Sequence, residues 1–349
     1  MIIKKCMVER MNDLSLRLKE ISCVKDYNLF PTFPTKNLLI EVTNACNCNC
    51  IFCANRKMQR KRRFIDEKFA FKVLRDAYEL GTREVGFYTT GEPLLNPNLP
   101  YFIKEAKSIG YNYVYITTNG ILLNDKFTLL LVNSGVDSIK FSINAINDED
   151  YKFIHGVDCY NVVINNLKKL YNFRKDNNLH FKIFVSYIAT KFTDYGVELI
   201  KDYFKDYCDE VAIINVRNQS GMMPEVNSLL SCKKNDDKVQ AERLVPCHYV
   251  FDTVNVSCEG YLTACCADFE NYLAYADLNV VSLKEAWHNQ IITNLRMKHL
   301  NNNLCGTLCD NCIYSLKNVP EPLSSDLITS KITQQVFSDE SVYKRILKK

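Results

Sequence analysis

The sequence predicts an α/β protein built on a parallel sheet, followed by a small cysteine-rich domain. Three observations predict it. Six short β-branched runs alternate with helical patterns between residues 38 and 216, the alternation stops after Val216, and seven of the sixteen cysteines crowd into residues 247–312. Strands that alternate with helices become parallel neighbours joined by right-handed crossovers. Six such units are too few for a full eight-fold barrel. Periodicity therefore leaves two architectures, an open partial barrel with a lateral mouth and a doubly wound sheet.

Taken in order, residues 1–36 form an N-terminal helical extension with one amphipathic candidate, Val8–Ile21, expected to brace the sheet. The strand candidates are Leu38–Thr43, Glu84–Thr89, Tyr113–Thr117, Ser138–Ile143, Phe181–Ile188 and Val211–Val216. Each is an apolar, β-branched run of the length a buried strand needs. The helix candidates between them are Asp66–Leu80, Leu99–Ile109, Asp125–Asn133, Asn161–Asp176 and Asp194–Tyr207, with apolar residues at helical spacing. This barrel region is expected over 37–216. Residues 217–245 contain Asn-Gln-Ser-Gly, Met-Pro and Lys-Lys-Asn-Asp-Asp and read as a polar linker. The cysteine-rich domain is expected over 246–316. The tail, 317–349, has Pro320 and Pro322 and no cysteine, and reads as a loosely attached extension.

Composition excludes several classes. A chain of 349 residues with 47% apolar content can fill a substantial core. Its 44 basic and 40 acidic residues leave a net charge of +4, too even to make nucleic acid or a membrane the main partner. The basic run Arg56–Arg63 reads as a solvated loop in preference to an anion contact. No stretch approaches a membrane span, and Lys4 and Lys5 are not followed by a secretory signal pattern. Sixteen cysteines without an export signal point to metal ligation in a reducing, cytoplasmic compartment rather than to disulfides.

The chemistry starts just after the first strand, where Cys46, Cys50 and Cys53 stand on one tight loop. Three thiolates can hold three irons of a [4Fe-4S] cluster and leave the fourth open. A zinc knuckle would want four ligands, and Cys48 alternates along the loop so that it does not complete a tetrahedron; it reads as a packing or solvent-side thiol. With Phe52 directly before the last cysteine, this segment resembles the signature of the radical S-adenosylmethionine (SAM) superfamily. The resemblance implies a partial (β/α)6 TIM-type barrel and an open iron chelated by the amino and carboxylate groups of SAM. It also implies one-electron cleavage of SAM to a 5′-deoxyadenosyl radical that takes a hydrogen atom from the substrate.

The same resemblance assigns the SAM pocket. Strand two ends in Tyr-Thr-Thr-Gly-Glu-Pro, residues 88–93, where the superfamily has Gly-Gly-Glu-Pro. Gly91, Glu92 and Pro93 keep their positions, Glu92 being expected to accept from the SAM ammonium, while Thr90 replaces the first glycine. Asn119, Ser142 and Asn144 end the next strands on the same face, and similar enzymes use such residues for the ribose and carboxylate. The bland alternative is helix capping. Where relatives place an arginine this chain has His155, which fits a core or capping role as well as a ligand-binding one.

Farther on, Cys247, Gly260 and Cys265 are followed by the two-residue-spaced pair Cys309 and Cys312. The order resembles the auxiliary-cluster domains called SPASM and twitch. Because no cysteine follows Cys312, the resemblance implies a twitch-like domain with one auxiliary [4Fe-4S] cluster on Cys247, Cys265, Cys309 and Cys312. Cys305, Cys258 and Cys266 are rivals for those places, and a four-thiolate zinc site is the competing metal. A fully ligated second cluster suits electron transfer, as in the twitch-bearing dehydrogenase of aminocyclitol antibiotic assembly and the sulfatase-maturating enzymes. The expected function is thus oxidation of a secondary alcohol on a sugar-like or cyclitol-like small molecule, with a flavodoxin- or ferredoxin-type electron donor. A maturase or epimerase acting on a ribosomal peptide is the alternative, and a non-catalytic iron-sulfur or zinc protein the third. Nothing in the sequence identifies the general base.

Overall fold

A computed structural model describes residues 14, 17, 27–229, 246–314 and 321–327. Strands β1 (Leu38–Ile40), β2 (Glu84–Gly86), β3 (Tyr113–Thr118), β4 (Ser138–Ser142), β5 (Lys182–Ala189) and β6 (Glu210–Asn215) pair in chain order, all parallel. An order that never reverses excludes the doubly wound sheet, which needs a switch point. Right-handed crossovers in one direction place the helices on one face, and the other face becomes a lumen. The fold is a partial TIM-type barrel.

The helices are α1 (Glu67–Glu79), α2 (Leu99–Ile109), α3 (Asp125–Asn133), α4 (Asp148–His155), α5 (Tyr160–Asp176) and α6 (Ile200–Phe204). Asp66, Asn124 and Asn147 cap α1, α3 and α4 by accepting from Phe69, Phe127 and Asp150 N–H groups. The expected helix Asp194–Tyr207 is instead a 3-10 turn, Asp194–Val197, followed by the five residues of α6. Tyr187 Oη donates to Thr193 O, and a Cβ at Gly196 would stand 2.5 Å from that hydroxyl, so the tyrosine occupies the space a continuous helix would need.

The cysteine-rich region does not stand apart from the barrel. After α7 (Tyr249–Asp252), β7 (Val254–Val256) pairs parallel with β1, Leu38 opposite Val254. β8 (Tyr261–Thr263) and β9 (Ala274–Asp277) then extend the sheet antiparallel, giving nine strands ordered β6-β5-β4-β3-β2-β1-β7-β8-β9. α8 (Leu283–Trp287), α9 (Gln290–Leu300) and α10 (Leu308–Tyr314) close the region. One apolar core runs through both parts, from Leu38 and Val85 to Val256 and Trp287.

Two expectations are corrected. The basic run is a solvated loop only in part: Arg56, Lys57 and Lys61 are exposed, but Arg60, 8% exposed, is held by Glu41 and, at 2.7 Å, by Glu259, while Arg62 donates to Asn44 O at 2.8 Å and Asn55 O at 2.6 Å. Residues 321–327 are not loose, because Leu323 N–H donates to Tyr272 O at 2.8 Å and Tyr261 Oη to Leu327 O at 3.0 Å. The polar linker itself starts against the cysteine-rich region, where Asn218 Nδ2 lies 3.4 Å from Asn311 O, and a 3-10 turn spans Pro224–Leu229. Its residues 230–245, most of the N-terminal extension and the rest of the tail lie outside the described residues. Of that extension, Leu14 packs on Phe184 and Ala212, and Arg17 ion-pairs with Glu84 at 2.8 Å beneath the lumen.

Candidate active site

The cysteine loop leaves β1 and folds onto the end of α4, where Asn49 N–H donates to His155 O at 2.9 Å and Ile51 N–H to Ile154 O at 3.0 Å. Cys46, Cys50 and Cys53 are partly exposed at the carboxyl ends of the strands. The Cys48 thiol is pushed up chiefly by the neighbouring sulfurs of Cys46 and Cys50, and the Cys48 N–H donates to Cys46 Sγ at 3.5 Å. The Cys48 thiol and the His155 Nδ1 at 3.4 Å hold the Cys50 thiol well below its usual range. His155 is buried, stacked on Tyr151 at 4.2 Å, and its Nε2 lies 2.7 Å from Ile143 O. Three converging soft sulfurs are the donor set an iron–sulfur cluster takes. Phe52 packs in a small apolar cluster with Met58 and Ile154, against which Cys50 and Cys53 also pack.

The strand-two motif is placed beside this loop, but its groups are largely engaged by protein. Gly91 packs backbone to backbone: a Cβ there would meet Thr43 O at 2.3 Å and Ala45 O at 2.5 Å. Pro93 opens a 3-10 turn, Pro93–Leu95. The buried Glu92 accepts from Thr118 Oγ1 at 2.6 Å, Leu94 N–H at 3.0 Å and Asn119 N–H at 2.7 Å, which leaves little of the carboxylate for a ligand ammonium. Burial pushes this carboxyl up to about 7 against those three donors. Asn119 Nδ2 donates to Asn47 Oδ1 at 2.7 Å, and Asn144, at φ 57°, accepts from Ile188 N–H at 2.8 Å. Asn119 therefore ties two loops together, and Asn144 ties the exit of β4 to β5. Ser142 meets Ser186 at 3.3 Å across β4 and β5.

Glu92→Ala should accordingly destabilise the reconstituted protein without SAM by about 3 kcal/mol or more, since three buried donors lose their acceptor at roughly 1–3 kcal/mol each. Unchanged thermal stability would assign the carboxylate to the ligand alone. A raised folded-state value means that the native state holds this proton more tightly, so the contribution of Glu92 is greatest below pH 4.5 and is lost as pH rises toward about 7. Glu92→Gln should flatten that part of the stability–pH curve, as followed by thermal denaturation.

Sequence reasoning found Ser142 but missed the rest of the lumen. Tyr115, Thr117, Lys140 and Ser142 alternate on β3 and β4, with Thr117 opposite Lys140 in register. The hydroxyls of Thr89 and Thr117 and the whole amide of Asn255 are buried without partners among the described residues. Lys140 Nζ lies 5.7 Å from the Tyr88 ring, and burial lowers it to about 8. The signal was available as two-residue alternation of polar groups inside buried strands.

The second constellation is gathered in one place. Cys247, Cys265, Cys309 and Cys312 line a single cavity, with His299 beside them. Cys305 is exposed at the surface, and Cys258 is buried against Arg60 at 3.6 Å. Cys266 lines a second cavity with Thr89, Thr90 and Asn255 at the barrel mouth. Cys265 stands in the wall of both. Glu41, Cys258 and Glu259 approach one another as metal ligands would, but the Arg60 guanidinium is seated among them.

Residues 40–190 match the family model of the radical SAM superfamily, and residues 247–313 that of SPASM, an iron-sulfur cluster-binding domain. Among curated proteins, the "Probable GTP 3',8-cyclase" of Saccharolobus solfataricus is 33% identical over 135 residues, 39% of this chain and 43% of that one. The protein of the same name in Methanothermobacter thermautotrophicus is 31% identical over 125 residues, 36% of this chain and 40% of that one. The chain thus spans less than half the length of these relatives. The structure of BtrN in complex with AdoMet and 2-DOIA superposes with a TM-score of 0.54 at 18% identity, over 83% of this chain and 95% of that one. Streptococcus suis SuiB bound to precursor peptide SuiA gives 0.60 at 16% identity, over 80% and 69%. At such identities the likeness is one of fold.

Proposed function

We propose that this chain, a radical SAM enzyme with a SPASM-type iron–sulfur domain behind its barrel, oxidises an alcohol carbon of a small hydroxyl-bearing molecule by two electrons. The observation that carries the reading is the position of Cys265, in the wall between the barrel mouth and the four-cysteine cavity. Cys46, Cys50 and Cys53 would hold the SAM-binding cluster, and Cys247, Cys265, Cys309 and Cys312 the auxiliary one. When bound, these groups supply a hydrogen-abstracting carbon radical and an electron acceptor. The chain supplies the rest. Thr89, Thr117 and Asn255 offer unpartnered polar atoms to a polyhydroxylated substrate. A base must take the hydroxyl proton as the carbon is oxidised, and Lys140 suits that role. It faces the lumen, no carboxylate pairs with it among the described residues, and Arg17, Tyr88, Tyr115 and Cys266 are the ionisable groups around it.

Competitive acylation followed by mass spectrometry should give Lys140 a titration midpoint of about 8, apart from the surface lysines. Titration together with those lysines would remove it as the base. Lys140→Met should lower product formation by about a hundredfold or more, with SAM cleavage retained. The reading as a whole is tested by incubating reconstituted, reduced enzyme with deuterated cyclitols and sugars. Deuterium in 5′-deoxyadenosine together with a ketone product supports it, whereas a rearranged or cross-linked product of a peptide substrate replaces it. A peptide is the second reading, supported by the shared fold with SuiB in its peptide complex. A flavodoxin- or ferredoxin-type protein is the proposed electron donor. No helix among the described residues is long and apolar enough to cross a membrane.

A further inference from the structure

His299 sits in the last turn of α9 and is 1% exposed, in the wall of the cavity that Cys247, Cys265, Cys309 and Cys312 share. Its Nδ1 lies 3.4 Å from the backbone N of Cys247, which donates to it. An Nδ1 that accepts carries no proton, so in the neutral ring the proton is on Nε2. That Nε2 is buried and has no hydrogen-bond partner among the described residues. The edge of the ring is also held against Phe251, centroids 6.3 Å apart at 83°, so the imidazole is fixed from two sides. A buried N–H donor without an acceptor is costly unless a bound group completes it. The rest of the wall is the four cysteine sulfurs together with Ser220, Tyr249, Val250 and Leu273, and of these the sulfurs are the acceptors that carry charge once a cluster is held.

We propose that His299 Nε2–H donates a hydrogen bond to a sulfur of the cluster held in this cavity, a sulfide or one of the four cysteinates, and thereby raises that cluster's reduction potential. The inference rests on the reading that the four cysteines hold an iron–sulfur cluster, and not on the identity of the substrate. The physical reason is charge. Reduction adds an electron that is shared with the sulfurs, and an N–H dipole aimed at a sulfur stabilises the more negative state more than the oxidised one. His299 is thus a positioning and tuning residue. It would make the second cluster a better acceptor without ligating iron.

The test isolates this cluster in a variant with Cys46, Cys50 and Cys53 all replaced by alanine, reconstituted anaerobically and titrated potentiometrically with detection by electron paramagnetic resonance. Adding His299→Phe should move the midpoint downward at unchanged iron content, and His299→Gln, which keeps a donor, should recover part of the shift. An unchanged midpoint in the His299→Phe protein overturns the hydrogen bond. Because a cavity variant can fail to fold, the same bond is read without substitution, in reduced protein labelled with ¹⁵N-histidine. An exchangeable proton coupled to the cluster, lost in deuterium oxide, is expected. A large ¹⁵N coupling with no such proton would mean direct ligation of iron and would also overturn the proposal. The absence of about four irons from the isolating variant would instead overturn the cluster reading beneath it.

Discussion

Replacing both Cys309 and Cys312 with alanine is expected to leave a protein that still cleaves SAM at the barrel but forms almost no oxidised product. The two residues lie three apart on α10, so both face one side of the helix, and with Cys247 and Cys265 they complete one cavity wall. Loss of half the thiolates should remove about four of about eight irons. Removal of the hydrogen atom and of the hydroxyl proton can then still occur, but the second electron has no acceptor. Product loss alone proves little, because a site that binds a cluster also draws folding energy from it. The comparison is therefore made on variant protein of native circular dichroism, with deuterium on the reacting carbon. Label in 5′-deoxyadenosine without product supports the electron-transfer role. Cys305→Ala is the control, since Cys305 is exposed and outside the cavity, and it should change neither iron nor product. Normal product yield from protein lacking the second cluster would rule out the oxidation argued here.

What the sequence made legible depends on how far apart in the chain the cause lies. β5 is buried along most of its length and reads directly as an apolar run, β3 and β4 read as strands through their alternating apolar residues, and α2 and α3 fall on the predicted residues. The cysteine tripod and the Cys309–Cys312 pair stood out in the sequence because their spacing is local. The pairing of β7 with β1 did not, because Leu38 and Val254 meet only in the folded chain. The same holds for the lumen, where Thr89, Lys140 and Asn255 come from three separate strand regions. The basic run misled for a related reason. Arg60 is compensated by Glu41 and Glu259, which sequence distance hides, and a buried guanidinium with two carboxylates looks in sequence like any surface arginine. Glu92 shows the limit of motif transfer, since its position was foreseen while its three protein donors were not.

Gly91→Ala is expected to be far more damaging than restoring the superfamily's glycine at the neighbouring position by Thr90→Gly. Gly91 has an ordinary backbone conformation, so the penalty is purely one of space. The added methyl carbon would lie 2.3 Å from Thr43 O, 2.5 Å from Ala45 O and 2.9 Å from Asn44 C, all backbone atoms of the segment that enters the cysteine loop. Backbone cannot rotate aside as a side chain can. Either β1's exit or the strand-two loop must move, and the second option drags Glu92, whose N–H donates to Ala45 O at 2.8 Å. Overpacking of this kind costs about 3 kcal/mol. If that strain is relieved by displacing Cys46, SAM affinity falls by roughly a hundredfold, at 1.4 kcal/mol for each factor of ten. Thr90→Gly makes no new contact, removes a hydroxyl near Glu41 that helps hold that carboxyl low, and adds a glycine's backbone freedom, so it should cost about 1 kcal/mol. Isothermal titration with SAM, alongside iron content and thermal denaturation, separates the two. Full iron loading with wild-type SAM affinity in Gly91→Ala would mean that the glycine is not what seats the strand-two loop against the cluster loop.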